Sequence, residues 1–116
     1  MNNKKISVLI QKSPYQDLKA VEAMRMSVGL TLRNIEVYLF FLEAGLDALI
    51  EDSLERAEEA GFRKHLEMFI ELGQTLVVET ESIEASGNLS IAFDPMIWSR
   101  DAIISFVAQS DGVVIV

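Results

Sequence analysis

Residues 35–42 read Ile-Glu-Val-Tyr-Leu-Phe-Phe-Leu, a run rich in β-branched and aromatic side chains and apolar at almost every position. Such residues favour a strand. A strand apolar at consecutive positions has no face to give to water, so both of its faces must be covered. That is the signature of a parallel sheet with helices above and below, and it places Ile35–Leu42 at the centre of the sheet. Three shorter runs of the same character accompany it, at Ile6–Gln11, Thr75–Val78 and Gly112–Val116.

Helical spacing separates them. Leu18, Val21, Met24, Val28 and Leu32 recur every three or four residues, which predicts a helix from Pro14 to about Leu32. Ser13 is its expected N-cap, with Pro14 at the first helical position and Gln16 in the capping-box position. Asn34 is expected to take a left-handed cap before the next strand. Leu46–Ile50 reads as a short helical turn. A long helix is expected from Asp52 to about Leu72, capped by Asp52 with Glu55, weakest at Gly61 and stopped by Gly73. Ser82–Ala85 forms a stub of helix, Leu89–Phe93 a short extended segment, and Ser99 caps a last helix to about Gln109. The resulting order is strand-helix-strand-helix-strand-helix-strand. It predicts one α/β domain over residues 1–116, a three-layer sandwich whose mostly parallel sheet carries helices on both faces.

At 116 residues such a chain buries roughly 65% of its unfolded surface without staples. Half of its residues are apolar and its mean hydropathy is +0.26. The apolar runs are far shorter than the roughly 18 residues of a membrane span, and the opening MNNKKISVLIQK reads as a first strand, not a signal peptide. The surplus is therefore expected at a subunit interface, in an oligomer. A net charge of −8 with no basic patch argues against direct nucleic-acid binding.

The chain has no cysteine and one histidine. Disulfides, thiolate nucleophiles, Cys-ligated metals and persulfide carriage are excluded, and no histidine cluster can hold a metal. The absence of disulfides fits a cytoplasmic protein. Neither a GxGxxG nor a GxxxxGK[ST] motif is present, so no nucleotide cofactor is expected. His65 has no Ser or Asp partner at a telling spacing, and Trp98 reads as a core or interface anchor.

In open α/β sheets chemistry gathers where strands end. The loops after the first three strands, Lys12–Tyr15, Glu43–Gly45 and Glu79–Ser82, should share one edge. Glu43 and Glu79 could form an acid–base pair there. Equally, they could cap helix N-termini or pair with Lys12 or Arg100.

Four stretches resemble the DsrE/DsrF-like family of small sulfur-relay proteins, nearest to its DsrF/TusC branch. ISVLIQKSPY leads through a helix to AVEAMRMSVGLTLRNIEVYLFFLEAGLDALI, where Ala44–Leu49 is similar to the family's "xxGVxxL". ELGQTLVV is similar to "LGVxVxVC", ETESIEASG to "C-x-x-S-L-x-x-x-G", and SDGVVIV to "aDxVixF". The resemblance implies a flavodoxin-like sandwich assembled into homo- or hetero-oligomeric trimers or hexamers. It also implies that the position of the cysteine used as sulfur acceptor by DsrE/TusD-type members is Glu79 here, with Ser82 matching the family serine. A carboxylate cannot carry persulfide sulfur, so no catalytic residue is carried over. The implied role is a non-catalytic structural or partner subunit of a sulfur-transfer, tRNA-thiolation or sulfur-oxidation assembly, alongside a Cys-bearing paralogue. The alternative is a small-ligand-binding module or enzyme in which Glu79 replaces the thiol. Ser13, Tyr15, Glu43, Gly45 and Ser82 would then surround it, and burial would raise the Glu79 carboxyl pKa.

Overall fold

The computed structural model describes residues 4–50 and 61–116. Its strands are β1 (Lys5–Ile10), β2 (Glu36–Phe41), β3 (Thr75–Glu79), β4 (Met96–Trp98) and β5 (Gly112–Ile115). Its α-helices are α1 (Leu18–Thr31), α2 (Phe62–Glu71), α3 (Thr80–Ala85) and α4 (Arg100–Ala108), and a 3-10 segment spans Glu43–Leu49. All the pairings are parallel, in the order β4-β3-β2-β1-β5.

This order dictates the layers. From β1 to β4 the chain steps one strand at a time in a single direction; it then crosses three strands to pair β5 with the far side of β1. Parallel crossovers are right-handed, so steps in opposite directions put their helices on opposite faces. Accordingly α1 and α2 cover one face, where Val8, Ile10, Val37, Leu39, Phe41, Leu76 and Val78 meet Ala20, Val21, Met24, Val28, Phe62, Leu66 and Phe69. On the other face α4 is the one helix among the described residues: Leu9, Phe40, Leu42 and Val77 pack with Ile103, flanked by Tyr38, Trp98, Phe106 and Val107. The four rings of Tyr38, Phe40, Trp98 and Phe106 interlock there, with centroids 4.3 Å apart for Tyr38–Phe106 and 5.5 Å for Trp98–Phe106. Helices on both faces of a parallel sheet are the architecture expected from the apolar runs.

The differences lie at element ends and in one strand. Met96–Trp98 is a fifth strand, paired to β3 from Val77↔Met96 to Glu79↔Trp98. The extended segment expected at Leu89–Phe93 contributes only a bridge from Ile91 to Ile50. Helix α1 starts at Leu18, not Pro14. The Ser13 carbonyl accepts the N–H groups of Gln16 (3.1 Å) and Asp17 (3.0 Å) in a separate turn, and the Asp17 carboxylate then caps the helix by accepting from Lys19 N–H at 2.8 Å. Leu18 and Leu32, the two ends of the expected stripe, are exposed, and the buried face runs through Ala20–Val28. Gly61 stands at the start of the second helix: its φ of +75° lies outside the right-handed helical region, and α2 begins at Phe62. The expected cap at Asp52 and Glu55 falls outside the described residues. Asn34 and Gly73 take the left-handed conformations expected of them.

Between α1 and β3, Gln74 acts as a polar clamp. Its Oε1 accepts from Val37 N–H at 3.1 Å, and its Nε2 donates to Thr31 Oγ1 at 3.1 Å and the Ile35 carbonyl at 2.9 Å.

Candidate functional site

The site is assembled at the carboxyl edge of the sheet. Glu79 is the last residue of β3 and directly precedes α3, yet its side chain makes no capping bond to that helix. It is buried and turns toward the neighbouring strand end. Because Glu79 sits in register with Trp98, the start of α4 lies two residues further along the adjacent path, and Arg100 opens that helix. The Arg100 guanidinium grips both carboxylate oxygens, Nε donating to Oε2 at 2.9 Å and Nη2 to Oε1 at 3.1 Å. One turn into α3, the Ser82 hydroxyl donates to Glu79 Oε1 at 2.6 Å. The same hydroxyl accepts from Glu43 N–H at 2.9 Å.

Glu43 has φ of +50°, a left-handed conformation that costs a non-glycine residue about 1 kcal/mol or more. It begins the 3-10 segment, and its amide closes the chain of contacts from β2 through α3 to β3 and α4. Glu81 adds a second tie, accepting from the backbone N–H of Arg100 at 2.9 Å. Above this network lies a shallow depression of about 290 Å³ walled by Glu43, Glu81, Ser82, Ser86 and Arg100.

The electrostatics follow from the partners. The bidentate Arg100 contact holds the Glu79 carboxyl below its ordinary range; burial opposes this, and the Ser82 bond reinforces the lowering. Arg100 is shifted upward in turn, first by its bond to Glu79. The expected upward shift of Glu79 is therefore reversed, because a cation reaches it as it is buried. Glu79 is a fully ionised acceptor at neutral pH, unsuited to donating or taking a proton there.

The other expected site residues lie apart from this network. Ser13 is buried, and its Oγ accepts Tyr15 N–H at 3.3 Å, while the Tyr15 hydroxyl donates to the Asp47 carbonyl at 3.3 Å. Gly45 serves packing: the Ile10 carbonyl, which accepts Leu42 N–H at 3.0 Å, sits where a Gly45 Cβ would be, only 2.0 Å from it. Of the six candidates, Glu43, Glu79 and Ser82 form one hydrogen-bonded unit, Ser13 and Tyr15 a second, and Gly45 backs the loop between. Arg100, named from the sequence only as a possible ion partner, completes the first unit. Among the described residues no group of three or more His, Asp or Glu side chains could hold a metal ion.

The model of the DsrE/DsrF-like family matches residues 4–115, nearly the whole chain. This chain belongs to the DsrE/DsrF-like family. Within the wider set of proteins like it, the uncharacterized protein MJ0989 of Methanocaldococcus jannaschii is 29% identical over 112 residues, covering 95% of this chain and 97% of the relative. The crystal structure of the ychN protein from E. coli superimposes with a TM-score of 0.79 over 99% of this chain and all of that one, at 14% identity. That likeness establishes the fold of this DsrE/DsrF-like chain. Among the described residues no helix is long and apolar enough to cross a membrane.

Proposed function

We propose that this chain is a non-catalytic partner subunit of a sulfur-relay assembly, shaping or completing a site whose thiol belongs to another chain. One observation carries the reading. At the strand end where the motif resemblance puts the family's sulfur-accepting cysteine stands Glu79, and its carboxylate is tied down on both oxygens by Arg100 and Ser82. A sulfur acceptor must be a thiolate with room to be attacked. Glu79 is neither, and no cysteine elsewhere in the chain can substitute. The position has become a fastener that joins β3, α3 and α4.

Use of Glu79 as an acid–base group is the weaker reading, since its carboxylate is held ionised and has its acceptor sites engaged. The assembly is a trimer or hexamer of this chain, or of this chain with a Cys-bearing paralogue. The test is capture of the N-terminally tagged chain from its own cells at moderate salt, followed by mass spectrometry. A stoichiometric cysteine-containing protein of similar size is the expected companion. Recovery of the chain alone would remove the partner role and turn attention to ligands of the Glu79 depression.

A further inference from the structure

The turn that leads into β4 is strained. Phe93 has φ of +70° and Asp94 φ of +48°, two adjacent residues that carry a Cβ into the left-handed region. Asp94 also precedes Pro95, a position that favours extended backbone. On the near side of this turn the chain is pinned. The Ala92 N–H donates to the Leu49 carbonyl at 2.7 Å, Ile91 bridges to Ile50, and Ile91 and Phe93 pack against the α1–α2 side of the core. On the far side the hold is weak. Among the described strands β4 pairs only with β3, over three residues, and Met96 and Ile97 are 52% and 60% exposed. Among the described residues of α4 only Ile103 is buried.

We infer that β4 and the start of α4 form a flap, hinged at Phe93–Asp94 and latched by Arg100 on Glu79. The latch has two parts. The Arg100 guanidinium grips the Glu79 carboxylate, and the Arg100 N–H donates to the Glu81 carboxylate at 2.9 Å. Strain and latch oppose each other. Leaving register lets Phe93 and Asp94 return to ordinary backbone angles. It costs the ion pair, the Glu81 bond and the packing of Trp98 on Phe40, whose ring centroids lie 5.8 Å apart. Glu79 passes from buried to wet as the flap opens, so hydration of its carboxylate offsets part of the lost pairing. An element held this way opens locally, without the rest of the sheet. Opening bares the β3 edge from Val77 to Glu79 and gives another chain access to the carboxylate that the closed form withholds. That use of the flap, though not its motion, rests on the reading of the chain as a partner subunit.

The chain has no cysteine, so one introduced thiol reports the opening. Val77→Cys places it opposite Met96, on the face that packs with Ile103. Val8→Cys places it on the α1–α2 face as a control, and both valines are fully buried. Labelling with an aromatic disulfide reagent is timed in native buffer, each rate divided by that of the same variant in urea, and circular dichroism checks folding. The Val77→Cys thiol should react at least about a hundredfold faster than the Val8→Cys thiol. Adding Arg100→Ala should speed labelling of the Val77→Cys thiol by about tenfold, since the closed form then buries a carboxylate without its cation. Adding Asp94→Gly, which suits a left-handed residue, should slow it by about threefold. Hydrogen exchange of the wild type makes the comparison without a thiol: amides bonded between β3 and β4 should exchange ahead of those between β1 and β2. Equal rates at the two thiols, exchange of both strand pairs together, or an Asp94→Gly rate that does not fall would each overturn the inference. Capture of a Cys-bearing paralogue together with equal labelling rates would sink the flap while sparing the partner role. Capture of the chain alone together with unequal rates would spare the motion and remove its use.

Discussion

Arg100 holds Glu79 by both carboxylate oxygens, at 2.9 and 3.1 Å, across the seam between two strand ends. The acid is buried and the base is half in water, with side-chain exposures of 5% and 54%. The buried partner gives this pair its influence, since a carboxylate withdrawn from water without its cation is costly.

Acid should loosen the fold through this residue. The folded-state pKa of Glu79 lies below its ordinary 4.5, so the unfolded chain takes up a proton first as pH falls. The stability it contributes is complete above about pH 4.5 and is lost as pH drops through the lowered folded value. Urea titrations between pH 7 and 3 should show a steeper acid decline for wild type than for Glu79→Gln. Parallel declines would assign the acid sensitivity to other carboxylates.

Removing the carboxylate altogether should cost about 2 kcal/mol at pH 7, because Glu79→Ala leaves the Ser82 hydroxyl and the Arg100 fork without their acceptor. Arg100→Ala should raise the Glu79 pKa, which NMR titration of the carboxyl would read directly, and should flatten the part of the acid decline that Glu79 contributes.

Gly45→Ala should be severe for a change of one methyl. The new Cβ would lie 2.0 Å from the Ile10 carbonyl oxygen, a backbone atom that already accepts Leu42 N–H and cannot swing aside. A loss of about 3 kcal/mol is expected in equilibrium denaturation. A near-neutral result would mean that the 3-10 segment shifts as a body.

Gln74→Leu keeps the bulk and deletes three hydrogen bonds, one of them to the amide of buried Val37. About 2 kcal/mol should be lost, with faster amide exchange at Val37 as the local readout.

The parallel sheet was legible in the sequence because Ile35–Leu42 leaves a strand no polar face, and the left-handed turns at Asn34 and Gly73 were legible from those residues, whereas the one at Glu43 was not. The site was legible only in part, and the reason is β4. Three residues, Met96–Trp98, are too short a run to show a period, and they follow Asp94-Pro95, which reads as a turn. Without that strand nothing sets Arg100 beside Glu79, although they are only 21 positions apart. Burial of a glutamate then implies a raised pKa, and the opposite is found. The start of α1 was misplaced for a related reason: Ser13-Pro14 and Asp17 both carry cap chemistry, and the choice depends on where the chain leaves β1.

The pairing of β5 with β1 has a consequence for how the chain is made. Lys5 and Asp111 exchange two 2.8 Å contacts, the Lys5 amide to the Asp111 carboxylate and the Asp111 amide to the Lys5 carbonyl. During synthesis β1, β2 and β3 leave the ribosome before α4 and β5. One edge of β1 and the Leu9–Phe40 face then stay bare until α4 and β5 have left the ribosome. Until both ends of the chain are present, the sheet has no way to close that edge of β1.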